Sequence, residues 1–175
     1  MTSPSSARSI DVRVFPAFRA AVKATWLRKV AKAALAVGDP DGGAAVSLVV
    51  ADDETLHGLN ARFRGLDELT DVLSFGDTSD ASLAPEGSVD SPFPDIPDDE
   101  PSLGEVVLSY PLAERQADAH NVSVQQEVAL LVVHGILHLL GHDHAEPGEE
   151  ASMKSMEAQT LAAIFPPIKG EGGTS

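Results

Sequence analysis

Four of the six histidines in this 175-residue chain fall between His134 and His144, and their spacing is that of a metal site. In the run Val132-Val133-His134-Gly135-Ile136-Leu137-His138-Leu139-Leu140-Gly141-His142-Asp143-His144, the first two histidines are four apart. At about 3.6 residues per helical turn they project from one face, one turn above the other. Gly141 is the residue type that most easily takes the left-handed conformation ending a helix, which lets the chain double back with His142, Asp143 and His144. A third imidazole then reaches the first two, and reach alone allows either His142 or His144. Three neutral imidazoles with an open fourth position are a common ligand set for a catalytic zinc, because a water held there becomes acidic enough to ionise near neutral pH. Two histidines four apart in an apolar helix are, by default, core residues; the third, beyond a helix-stopping glycine, turns the reading toward metal.

The order His134, His138, Gly141, His144 is also that of the long zinc-peptidase signature H-E-x-x-H-x-x-G-x-x-H. Those enzymes carry a glutamate as general base at the position of Gly135, so the metal geometry is kept here and the peptide-hydrolysis machinery is not. The run H-G-I-L-H-L-L-G-H-D-H resembles the signature of the YbeY family, bacterial metal-dependent endoribonucleases of rRNA maturation and ribosome quality control. Further stretches fit: Leu59-Asn60 through Phe63-Arg64-Gly65, Thr70-Asp71-Val72-Leu73-Ser74-Phe75, Gly104-Glu105-Val106-Val107, and Met153 with Glu157 in a closing helix. The resemblance covers most of residues 44 to 164. It implies that Arg64 lies near the metal and is needed for activity; a fixed guanidinium pairs with phosphate and stabilises charge that builds in phosphoryl transfer. As a lone arginine it would be read as a surface salt bridge. Several positions depart from the family pattern. Leu66 stands for a usual lysine, Leu69 and Gly76 for prolines, Glu105 for an aspartate and His142 for a tyrosine. None touches His134, His138 or His144, which are taken as the ligands of one zinc ion.

With 43% hydrophobic residues the chain supports one domain with a proper core, and it has no cysteine for disulfides or thiolate metal sites. Met1 to Ser6 lack the basic and apolar regions of a signal peptide, and the longest apolar stretch, Val128 to Leu140, falls short of the ~20 residues that span a bilayer. A cytoplasmic protein with no membrane partner is expected. The net charge of -15 speaks against nucleic acid, since phosphate contacts come from Lys and Arg. The charge is segregated, however. Seven of the twelve basic residues precede Gly38, against the single acid Asp11, so the first 37 residues carry +6 and the remainder -21. Arg19/Lys23 and Arg28/Lys32 are each four apart but about half a turn out of phase, so the helix pattern gives no single stripe.

Along the chain, Ile10 to Phe15 alternates as a half-buried strand, and Pro16 opens a helix over Ala17 to Val37 that Gly38-Asp39-Pro40 ends. Ala44 to Ala51 reads as a buried strand, Asp52 or Asp53 caps a helix to about Arg62, and Asp71 to Phe75 is a strand. Residues 77–102 hold eight acids, five prolines and no Lys or Arg, the composition of a mobile acidic insertion. Gly104 to Tyr110 is a strand, Pro111 opens a helix ended by Asn121, and Ser123 with Gln126 forms a capping box for the helix Val124 to Leu140. Glu127, seven residues before His134, is a candidate partner for an imidazole N–H or simply a favourable charge at the helix N-terminus. A last helix runs from about Pro147 to Phe165, and 166–175 is a Gly-rich tail.

The pattern is that of an α+β domain over 8–165: a small mixed four-stranded sheet, helices covering one side, and a zinc-hydrolase-like metal helix beneath it. The family resemblance implies single-strand-specific cleavage of RNA in 16S rRNA 3' end maturation, on rRNA or ribosomal particles and with ribosome-associated protein partners. The alternatives are a non-catalytic assembly factor with a structural metal, and a zinc peptidase or amide hydrolase. No residue is assigned as base; His142, Asp143 and a metal-bound hydroxide are the candidates.

Overall fold

The computed structural model describes residues 9–43, 45–76, 102–142 and 147–165. The sheet is the expected mixed one of four strands: β1 (Ile10–Val14), β2 (Ala45–Ala51), β3 (Val72–Gly76) and β4 (Ser102–Ser109), in spatial order β1-β2-β4-β3. β1, β2 and β4 are parallel, and β3 runs antiparallel to β4 with Ser74 opposite Val106. Ser102, the last residue assigned to the acidic insertion, is the first of β4; residues 77–101 and the tail 166–175 lie outside the described residues.

Five α-helices are found among the described residues: α1 (Ala24–Gly38), α2 (Asp53–Arg64), α3 (Tyr110–His120), α4 (Val124–Leu139) and α5 (Pro147–Ile164), the last packed on α1 and α4. The expectation of helices on one side only is corrected by the structure. Val46, Leu48, Val50, Val106 and Leu108 face α1, α3 and α4, whereas Val49, Ala51, Leu73 and Val107 face Leu56 and Leu59 of α2 on the other side. Every residue of β2 is buried because both of its faces are covered, which is why the segment is a continuous apolar run without alternation.

α4 is the central helix, with Val132, Val133, Ile136 and Leu137 fully enclosed. Each such side chain contributes roughly 1.5–3 kcal/mol by leaving water. Gly135 sets how closely α4 approaches the sheet: a Cβ there would stand 2.6 Å from Val106 Cγ1 and 3.2 Å from Ser74 Oγ. The start of α4 carries the predicted capping box, Gln126 N to Ser123 Oγ and Ser123 N to Gln126 Oε1, both 3.1 Å. Its end turns at Gly141 (φ 94°), where the His142 amide donates to the Leu137 carbonyl. No single helix among the described residues is long and apolar enough to cross a membrane.

Elsewhere the boundaries follow local chemistry. Asp52, not Asp53, caps α2 by accepting from the Thr55 amide at 2.9 Å, and its hydrogen bonds with Thr55 hold the carboxyl below its usual range. Asn121 (φ 59°) ends α3 as expected. The expected helix over Ala17–Val37 is instead a 3-10 turn at Pro16–Phe18 followed by α1 from Ala24. Phe18 packs on Tyr110 and Val22 is buried, while Lys23 is extended (ψ 134°), so tertiary anchoring of the first turn breaks the helix there.

Candidate metal centre

His134 and His138 meet on the exposed shoulder of α4. Their Nε2 atoms stand 3.0 Å apart, with the rings edge to face at 76°. Two imidazole ligands of a tetrahedral ion, each about 2.0–2.1 Å from it, are roughly 3.3 Å from one another, so the pair is close to the separation a zinc-type ion requires. The tautomer agrees with this. His134 Nδ1 donates to Glu157 Oε1 of α5 at 2.7 Å, which leaves Nε2 with its lone pair turned toward His138. A carboxylate behind a histidine also raises its basicity and locks the ring. The donor set present therefore fits a cation of the zinc class.

Of the two candidates for a third ligand, His142 does not join the pair: among the described residues no group of three or more His, Cys, Asp or Glu side chains is arranged so that all could hold one metal ion. The turn at Gly141 sends the His142 amide back to Leu137. His144, like Asp143, lies outside the described residues.

Arg64 is the last residue of α2, and its Nη2 donates to the Ser74 carbonyl of β3 at 3.1 Å. Ser74 Oγ in turn donates to the Gly135 carbonyl at 3.0 Å, so one serine ties the arginine's strand to the helical turn that carries His134. Gly65 (φ 67°) stops α2 beyond Arg64, and buried Asn60 holds the following loop through the Glu68 carbonyl at 2.9 Å. Nearby cations are engaged: Lys154 pairs with Glu150 at 3.0 Å and Arg115 with Asp53 at 2.9 Å. The position of the peptidase base, Gly135, is buried against β3 and β4, so this helix presents no carboxylate at that point.

Glu127 is not a partner of the histidine pair. Its buried carboxylate accepts from His120 Nδ1 at 3.1 Å, a second histidine–carboxylate contact two turns earlier along α4. Both contacts open on a cavity of about 350 Å³ between α3, α4 and α5, lined also by Asp71, Gln116, Leu130 and Met153. In the sequence Glu157 is legible only as part of a similar closing helix. The signal for its role lies in α5 itself, where Met153, Met156, Thr160, Leu161 and Ile164 form the inward stripe and Glu157 is the charged residue on it. Ser74 carries no such signal, because its hydroxyl bond spans 61 residues of sequence.

The chain is similar to known proteins in fold and in sequence. A solution structure of a protein from Thermotoga maritima matches with a TM-score of 0.57, covering 95% of this chain and 99% of that one at 21% identity, which shows a common fold. Proteins named endoribonuclease YbeY are similar over most of their length. One from Dehalococcoides mccartyi is 43% identical over 83% of this chain and 90% of its own, and one from Roseiflexus castenholzii 37% over 89% and 92%. One from Paramagnetospirillum magneticum is 40% identical over 75% and 76%. A model of the family described as Endoribonuclease YbeY matches residues 17–164, and with these relatives it shows that the chain belongs to that family.

Proposed function

We propose that this protein is a metal-dependent endoribonuclease that cuts single-stranded RNA during rRNA maturation, at a site built from His134, His138 and Arg64. The family brings endoribonuclease activity and RNA as substrate to the chain. The observation that carries the metal reading is the convergence of His134 Nε2 and His138 Nε2 at 3.0 Å, with Glu157 fixing the first ring. His144 is assigned as the third ligand by its spacing, and zinc is the preferred ion for three imidazoles. Small-subunit rRNA, its precursor particles, a role in ribosome quality control and residence in the cytoplasm belong to the same proposal.

When bound, such an ion supplies Lewis acidity toward a phosphodiester oxygen and lowers the pKa of water. The chain's residues do the rest. His134 and His138 would hold the ion at a fixed place on the helix, and Glu157 keeps the His134 ring from turning. Arg64, held at β3 by the Ser74 carbonyl, pairs in this reading with a non-bridging phosphate oxygen and shares the charge that builds as the bond breaks. Packing of Gly135 against Val106 fixes the height of α4 over the sheet, and so the relation between Arg64 and the histidines.

Cleavage of a single-stranded RNA copying the precursor end of small-subunit rRNA, followed on denaturing gels, tests this with wild type, His138→Ala and chelator-treated protein. Circular dichroism checks that all are folded. Cleavage by untreated wild type alone is expected. Binding of RNA without cleavage by metal-loaded wild type, on naked RNA and on immature particles, overturns the reading and leaves a non-catalytic assembly factor.

A further inference from the structure

The site just described is poor in cations for a protein that must hold RNA. Lys154 and Arg115 are paired with acids, Leu66 two residues beyond Arg64 is apolar and exposed, and Asp71, Glu127, Glu150 and Glu157 line the adjoining cavity. Affinity for nucleic acid depends chiefly on phosphate contacts from Lys and Arg, and a chain of net charge -15 must gather them somewhere.

They gather at the opposite edge of the sheet. β1 is the edge strand farthest from β3, three strand spacings or roughly 14 Å away. Arg28 Nε donates to the Ile10 carbonyl at 3.3 Å and Arg19 Nε to the Val14 carbonyl at 3.1 Å. Both guanidinium groups are thus tethered by one nitrogen to the two ends of β1, about 13 Å apart at ~3.3 Å per residue, and their Nη groups remain for another acceptor. Because α1 begins only at Ala24, its phase is set independently of Arg19. Leu27, Val30, Ala31, Ala34 and Leu35 are buried, while Thr25, Arg28, Lys29 and Lys32 form one exposed stripe. Among the described residues Lys29 and Lys32 make no ion pair. A solvated helix face would explain loose lysines; it does not explain two arginines pinned along an edge strand beside them, on a chain whose remainder carries -21.

We propose that the β1–α1 edge, through Arg19, Arg28, Lys29 and Lys32, is a docking surface for the phosphate backbone of a folded RNA whose single-stranded segment reaches the histidine pair. It rests on the endoribonuclease reading for its ligand and narrows the substrate class: a large structured RNA is preferred over a free oligonucleotide. The acidic site then repels RNA that is not held at the far edge.

The test uses the full chain and two RNAs, a hexanucleotide and a stable hairpin carrying the same hexanucleotide as a tail. Binding is measured by fluorescence anisotropy over a series of salt concentrations, and cleavage on gels. Lys29→Glu/Lys32→Glu is expected to bind the hairpin at least tenfold more weakly, with a log–log salt slope shallower by roughly 2, since each lost phosphate contact removes about 0.9. Cleavage of the hairpin should fall far more than cleavage of the hexanucleotide. Lys29→Gln/Lys32→Gln, which removes charge without adding repulsion, should show the same change in slope. Unchanged affinity and slope in both variants, with cleavage by wild type intact, overturns the docking surface and leaves the nuclease reading standing. A wild type that binds through Lys29 and Lys32 but cuts neither RNA overturns the nuclease reading and leaves the surface standing. Variants that bind the hairpin normally but lose immature ribosomal particles point to a protein on this edge, and overturn the inference.

Discussion

α4 takes part in two histidine–carboxylate contacts, at 3.1 and 2.7 Å, and only one of them adjoins a second histidine. At His120–Glu127 the carboxylate is the buried member and the imidazole is 59% exposed; at His134–Glu157 both are partly enclosed, at 33% and 15%. In the first, the histidine satisfies a carboxylate that folding has removed from water. In the second, the carboxylate serves the histidine, whose other nitrogen faces His138. A histidine bonded to an acid is therefore a weak sign of function. The sign is a second imidazole nitrogen converging on the ring nitrogen that the acid does not contact.

Removing the converging imidazole has the largest expected effect. His138→Ala should abolish high-affinity zinc binding, measured by competition with a chromogenic chelator, and cut RNA cleavage about a thousandfold, the equivalent of ~4 kcal/mol in the transition state. Arg64→Ala comes next. It should lower kcat on the order of a hundredfold while zinc affinity stays unchanged, because it removes a charge donor and no ligand; a parallel loss of zinc would make Arg64 structural. Glu157→Ala should weaken zinc binding by roughly 10–100-fold, the usual cost of losing the acid behind a ligating histidine. His120→Ala is the counterpart and the mildest for function. Zinc affinity should hold within about twofold, while the denaturant midpoint falls by the equivalent of ~1–3 kcal/mol for an unpaired buried carboxylate. If His120→Ala lost zinc as Glu157→Ala does, the distinction between the two contacts would collapse.

Much of the site is legible in the amino-acid sequence itself. The capping box at Ser123, the stop at Asn121, and the shared face of His134 and His138 follow from spacing within a few turns, where helix geometry decides. What stays hidden in the sequence depends on docking. Glu157 reaches His134 only because α5 lays its inward stripe against α4, and helical phase alone, which points Glu127 toward His134, says nothing about His120 arriving at the end of α3. The second helix layer does leave a trace, which a one-sided sheet overlooks. Ala45–Ala51 has no polar alternation, the mark of a strand covered on both faces, and α2 is the helix that supplies the other cover. The break at Lys23 leaves no local trace, since Phe18 and Val22 are anchored by residues far along the chain.

Gly135 also bears on what this scaffold can become. A peptidase helix of the same histidine spacing differs here by a single residue, and in sequence the two chemistries look like neighbours. In space they are not: a Cβ at position 135 already falls 2.6 Å from the Val106 side chain and 3.2 Å from Ser74 Oγ, so a glutamate would have to displace Val106 and crowd the serine that bonds the Gly135 carbonyl and whose own carbonyl holds Arg64. Overpacking of this kind costs typically about 1–3 kcal/mol before any new function is gained. Adaptation from one activity to the other would need the strand to change before the helix, an order that lowers the odds of drift between them and favours the fold keeping to one reaction.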